Sequence, residues 1–336
     1  MPHEAIGSPN PRRWSRRSFL ALTAGSAALL AAGCAKDAPG TVADDGSVTV
    51  RHAFGETRIP KPPQRVVSAG LTDQDDLLAL GVVPIAVTEW FGGEPFATWS
   101  WARPKLGPAQ PVVLTLAEGV PTDQIAGLRP DLIVATNAGL DADTYAALSK
   151  IAPTIAQSGP DAFFEPWKDQ AEIIGQAVFK ADEMRSLVTA VDDRFTQIAK
   201  DQPAFGGKKV YLVAGTLDRD RAVVTPAGPR TEFLTQMGLV VPEGIGQYVD
   251  GDSAFVPRDR MAAVLDEADV VIWTTESDAE SGALLADPTV AALRSTTRNR
   301  AVFTDRDLAG AIAFGTVLSY PVVADRLPPL LSRALA

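Results

Sequence analysis

Apolar and polar positions along this chain change rhythm from segment to segment. Phe19 to Ala32 is an apolar run of small residues and leucines, preceded by a basic stretch. Ser47 to Ile59 (VTVRHAFGETRI) alternates and turns at Gly55, which predicts a β-hairpin. From Arg65 onward, short β-rich runs are followed by helical segments. RVVSA (65–69) leads into a helix from Thr72, with Asp73, Asp75 and Asp76 in its first turn and Gly81 closing it. PIAVTEW (84–90) is the next strand. A helix over Asp123–Leu128 feeds PDLIVAT (130–136), and a helix from Asp141 feeds PTIAQS (153–158). This alternation predicts a parallel sheet with helices on both faces.

Between Glu165 and Lys200 the period becomes helical. Ile173, Ile174, Ala177, Val178, Ala181, Met184, Leu187, Val188, Val191, Phe195 and Ile198 recur three and four apart, with a break expected near Lys180. A second α/β segment follows: KKVYLVAG (208–215), RAVVTP (221–226), helices over Arg230–Gly238 and Arg258–Glu267, DVVIWTT (269–275), AVFT (301–304), and mostly helical residues from Gly310 to Ala336. The two halves echo each other. Asp123 opens a short helix that leads through an Asp into an apolar strand ending at Thr136, and Asp259 does the same toward Thr274. The expectation is two similar α/β lobes, 48–163 and 206–336, joined by a long helical segment, 164–205. A ligand would sit in the crevice between them, at the C-terminal ends of the strands.

The N-terminus reads as an address. Arg16-Arg17 within SRRSFL (15–20) resembles a twin-arginine export signal, and LAAGC (30–34) a lipobox ending in Cys34. The apolar run is too short to span a bilayer. Residues 1–33 are therefore expected to be a signal peptide, Cys34 the lipidated residue that anchors the chain to the outer face of the cytoplasmic membrane, and 34–47 a flexible tether. Cys34 is the only cysteine, so a disulfide within the mature chain is excluded. Losing residues 1–33 shifts the formal charge from −10 to −13, which disfavours nucleic acid and anionic lipid as partners. Nothing in the sequence calls for an oligomer, and a monomer is expected.

Beyond the signal segment the single histidine is His52, so a His/Cys site for bare zinc or copper is implausible. No Gly-x-Ser-x-Gly elbow or GxxxxGK loop occurs, and the chain is read as non-enzymatic.

The order of export signal, hairpin, QRVVSAG (64–70), DLLALGVVPIAV (76–87), IAGLRPDLIVA (125–135), the long helix and DEADVVIW (266–273) resembles the type III, or helical-backbone, periplasmic binding proteins. Within them it is most similar to the ferric-siderophore and ferric-dicitrate lipoproteins of actinobacteria. The resemblance covers residues 48–336. It implies two α/β lobes joined by a long backbone helix, with little closure, and delivery of a ferric chelate, haem or cobalamin-like cargo to an ABC permease. It also implies that one acidic residue on each lobe docks the permease, at Asp123 and Asp259. The family usually has Glu at these places, and the shorter Asp keeps the charge but loses reach. As a helix-opening residue, each could equally complement the helix dipole.

The candidate ligand contacts are the aromatic residues expected where strands end, namely Trp90, Phe91, Phe163, Phe164 and Trp273, and the polar Thr72, Asp73 and Asn137 in loops facing the crevice. Arg219 and Arg221 could pair with ligand anions, or could simply balance Asp218 and Asp220 in a hairpin turn. No resident cofactor and no direct metal ligand are expected for a ferric siderophore. For haem, the rival cargo, Tyr248 would be the iron ligand. A cell-surface enzyme or structural lipoprotein on the same scaffold is the remaining alternative.

Overall fold

The computed structural model describes residues 40–336. The export signal, Cys34 and the first residues of the expected tether lie outside the described residues. What is described of the tether is tied down. Ser47 is buried, its backbone N–H and hydroxyl both donate to Asp45, and Asp45 pairs with Arg58 of the hairpin. The hairpin itself forms as expected, with β1 (Val48–His52) antiparallel to β2 (Gly55–Ile59). Its alternation puts Val48, Val50 and Ile59 into the core of the first lobe.

That lobe is built on five strands: β3 (Val66–Ser68), β4 (Ala86–Thr88), β5 (Val112–Leu114), β6 (Leu132–Ala135) and β7 (Thr154–Ala156). Their order is β5-β4-β3-β6-β7 and every pairing is parallel. The chain winds outward from β3 through β4 to β5, then returns to β6 on the other side, so the direction reverses between β3 and β6. In an open parallel sheet the crevice opens at such a reversal, and the loops leading out of β3 and β6 carry Thr72 and Asn137.

The second lobe is a six-stranded sheet of β8 (Val210–Ala214), β9 (Arg221–Thr225), β10 (Val249–Asp250), β11 (Ser253–Pro257), β12 (Val270–Thr274) and β13 (Ala301–Phe303). The order is β10-β11-β9-β8-β12-β13. Only β8, β12 and β13 run parallel; β9, β10 and β11 add an antiparallel ribbon, where a parallel sheet was expected. The hairpin turn from Asp218 to Arg221 explains the switch. Arg219 and Asp220 both adopt positive φ, the geometry that reverses a strand within two residues.

The amphipathic stretch is two helices, Trp167–Ala177 and Ala181–Asp201, broken over Val178–Lys180 with Phe179 at positive φ. The second helix is the strut. Met184, near its start, packs into the first lobe's core, whereas Val191 and Phe195, farther along, belong to the second lobe's. Each of those side chains contributes about 1.5–3 kcal/mol by burial, so the strut is held by both cores. After β13 the helix Arg306–Phe314 and the helix Ser319–Leu335 complete the chain.

Candidate functional site

Two adjoining recesses lie between the lobes. The inner one is small, about 40 Å³, and is lined by Thr72 and Asn137 from the first sheet, Phe164, Glu165, Trp167 and Gln170 from the approach to the strut, and Arg230, Phe314 and Tyr320 from the second lobe. The outer one, about 270 Å³, shares Phe164 and Arg230 and adds Asp161, Thr225 and Asp252. Only together do they approach the lower end of the roughly 300–1,000 Å³ of small-molecule sites.

The floor is a polar relay. Asn137 Nδ2 donates to Thr72 Oγ1 at 3.0 Å, Thr72 Oγ1 to Gln170 Oε1 at 3.2 Å, and Gln170 Nε2 to Asp76 Oδ2 at 2.9 Å. Asn137 Oδ1 accepts the backbone N–H of Phe164 at 3.0 Å, holding Phe164 at positive φ with its ring in the recess. Thr72 and Asn137 thus shape the cleft, with much of their hydrogen-bonding capacity spent on neighbours. Asp73 does not reach it. Its carboxylate is fully buried, accepts from Thr136 Oγ1 and the Gly70 N–H, and is pushed up to about 6 by that burial.

One side of the crevice is closed by aromatic rings. Phe314, from the second lobe, lies 5.5 Å from Trp90, 6.0 Å from Phe91, 5.9 Å from Trp99 and 5.6 Å from Trp101, centroid to centroid. Trp90 also meets Phe164 at 5.2 Å. Trp99 stacks on Trp101 at 4.9 Å and is fully buried between Gly92 and Gly310, where a Cβ on either glycine would come within 2.6 Å of its ring. Below the rings, Asp75 Oδ2 accepts from Trp101 Nε1 at 2.8 Å and from Thr316 Oγ1, in the turn between the last two helices, at 2.7 Å. Arg306 donates to the Gly92 carbonyl and pairs with Glu94 at 2.9 Å. Trp90 and Phe91 are half-buried members of this seam, with Trp90 reaching the Phe164 edge of the recess.

Arg230 is the residue the sequence reading missed. Its guanidinium sits 5.2 Å from the Phe164 ring and has no hydrogen bond or ion pair among the described residues. Burial holds it below its usual range, and Asp252 partly offsets this. A signal was present: Arg230 stands at the start of a helical segment, where the dipole disfavours a cation, and no acid follows three or four residues on. Glu165 is a second missed residue. One carboxylate oxygen takes the backbone N–H and hydroxyl of Ser158, while Oε1 is buried with no partner among the described residues. Burial, with a smaller contribution from Asp73, pushes Glu165 up to about 7.

Several expected contacts lie elsewhere. Trp273 is fully buried among Val213, Val256 and Leu265 in the second lobe's core, because its strand is covered on both faces. Arg221 pairs with Asp218 and stacks over Phe255 at 4.5 Å, and Arg219 is exposed on the same turn; neither lines a recess. The balanced-turn alternative describes them. Tyr248 packs against the second lobe's core and lines neither recess, so the geometry gives haem iron no ligand there. Phe163 is exposed and leans against Gly139. Asp123 and Asp259 are both exposed, each in the first turn of the helical segment that feeds β6 or β12.

The sequence model of the periplasmic binding protein family matches residues 66–308. A Bacillus subtilis (strain 168) protein assigned as an ABC transporter substrate-binding lipoprotein is 28% identical over 77% of this chain and 80% of its own length. The ferric dicitrate-binding periplasmic protein of Escherichia coli (strain K12) is 30% identical over 47% of this chain, which spans about half of that protein (51%). Among solved structures, a periplasmic solute binding protein from Mycobacterium smegmatis is 66% identical with a TM-score of 0.84, covering 87% of this chain and 100% of that one.

Proposed function

Because the chain belongs to the periplasmic binding protein family, we propose that it is the substrate-binding lipoprotein of an ABC importer, capturing a ferric siderophore outside the cytoplasmic membrane and handing it to the permease. The observation that carries the reading is the recess at the reversal of the first sheet, faced from the other lobe by the unpaired guanidinium of Arg230 against Phe164. A preformed, aromatic-walled gap that holds a free cation suits cargo already wrapped around its metal. Among the described residues, no histidine or cysteine lines either recess. Among the described residues, no group of three or more His, Cys, Asp or Glu side chains is placed to hold a metal ion. The protein acts as a binder and not as an enzyme in this reading. Export follows the twin-arginine route, lipid on Cys34 anchors a monomer, and Asp123 and Asp259 meet the permease.

The test is tryptophan fluorescence. Trp90, Trp99, Trp101 and Trp167 surround the crevice, so a bound ferric chelate quenches them strongly. Arg230→Ala weakens binding about 10–100-fold, the loss expected for a charge-assisted contact of 1.5–3 kcal/mol. Flat titrations against every ferric chelate tried would remove the assignment.

A further inference from the structure

The charges around the two recesses are unequal, and the imbalance selects among ferric chelates. Among the described residues, Arg230 is the only lysine or arginine that lines them; Glu165, Asp161 and Asp252 line them too. Other cations of the cleft region are taken. Lys168 is held by Asp192 and Glu232 at 2.9 and 3.0 Å, and Arg306 and Arg103 by Glu94.

Ferric iron bound by three singly charged bidentate arms, as in a tris-hydroxamate, is neutral, and a pendant ammonium makes the complex cationic. Three doubly charged catecholates leave a charge of −3, and citrate complexes keep ionised carboxylates. Taking a multiply charged anion out of water demands several paired cations. One guanidinium that shares its field with Asp252 does not supply them.

Resting on the receptor reading above, we infer that the cargo is a ferric chelate with no net negative charge, of the tris-hydroxamate class. Arg230 donates to the chelating oxygens, which carry partial negative charge even in a neutral complex. The partnerless Glu165 Oε1, at the approach to the strut, faces the complementary need: it accepts an amide or ammonium N–H from the ligand backbone. Phe164 and Phe314 cover the apolar linkers. The acidic side chains at the outer recess then repel anionic competitors, a source of specificity as real as attraction.

The purified chain is titrated by tryptophan quenching with ferric desferrioxamine B (cationic), ferrichrome (neutral), ferric enterobactin (trianionic), ferric citrate and haemin. The expected result is a Kd for the neutral or cationic complexes at least about tenfold below that of any anionic one. A second arm uses Asp161→Arg combined with Asp252→Arg, both at exposed positions. This variant keeps its thermal midpoint and moves the preference toward ferric enterobactin or citrate by about tenfold or more. Anionic chelates or haemin binding as tightly as the hydroxamates overturns the charge rule and leaves the receptor assignment standing. A preference that the double variant leaves unmoved also overturns it. Absence of binding by the whole panel removes both.

Discussion

Asp75 sits at the join of the lobes, and replacing it with asparagine isolates the cost of its charge. Its carboxyl is fully buried, and burial raises it from 3.8 to about 6 even though the Thr316 and Trp101 hydrogen bonds pull the other way. Above pH 6 the folded protein carries a buried carboxylate that the unfolded chain would hold in water, at a cost of about 3 kcal/mol for a shift of about two units. Below the ordinary value of 3.8 both states are protonated and the cost is gone. Wild-type stability from this group is therefore present in acid and is lost as pH rises through about 6.

Asparagine keeps an oxygen for both donors but places an amide where Asp75 Oδ1 has no partner, a penalty of about 1–3 kcal/mol at every pH. Asp75→Asn should then be less stable than wild type by about that amount at pH 4, and equal or more stable at pH 7.5. The swing between the two is about 3 kcal/mol. Relief of Asp76, which Asp75 also pushes up, adds in the same direction. Urea unfolding of both proteins at the two pH values reads the difference directly. Parallel pH–stability curves would falsify the reasoning, because they would mean that the Asp75 carboxyl titrates alike in the folded and the unfolded chain.

Gly310→Ala puts a methyl 2.6 Å from the Trp99 ring and should cost about 1–3 kcal/mol by overpacking; an unchanged urea midpoint and emission maximum would show that Trp99 is not wedged there. Asn137→Ala frees the Phe164 N–H and Thr72, so chelate affinity should fall about tenfold with a stability loss of only about 1–3 kcal/mol; equal quenching curves for the two proteins would contradict this. Asp123→Lys with Asp259→Lys should leave the chelate Kd unchanged while uptake by cells collapses, and normal uptake would exclude the docking role.

Elements whose pattern is local could be read from sequence. The β1–β2 alternation, the helix opened by Thr72, the break near Lys180 and the matched units behind Asp123 and Asp259 all appear where expected, because periodicity and capping act over a few residues. The antiparallel ribbon of β9, β10 and β11 was not legible: the direction of a strand depends on a two-residue turn and on partners distant in sequence. The site was read unevenly for the same reason. Thr72, Asn137 and Phe164 follow from the ends of strands and the start of the strut. Trp273 fails because an apolar strand cannot say whether its large side chain points into a core or a cleft. Arg230, Glu165 and Phe314 meet only when both lobes are assembled, so no window of sequence contains the recess.

With its two ends gripped by different cores, the helix Ala181–Asp201 is a lever about 30 Å long. Tilting it by about 5° would carry its far end roughly 3 Å, without any hinge in the backbone. Any movement of one core relative to the other is thereby geared to the tilt of a single helix.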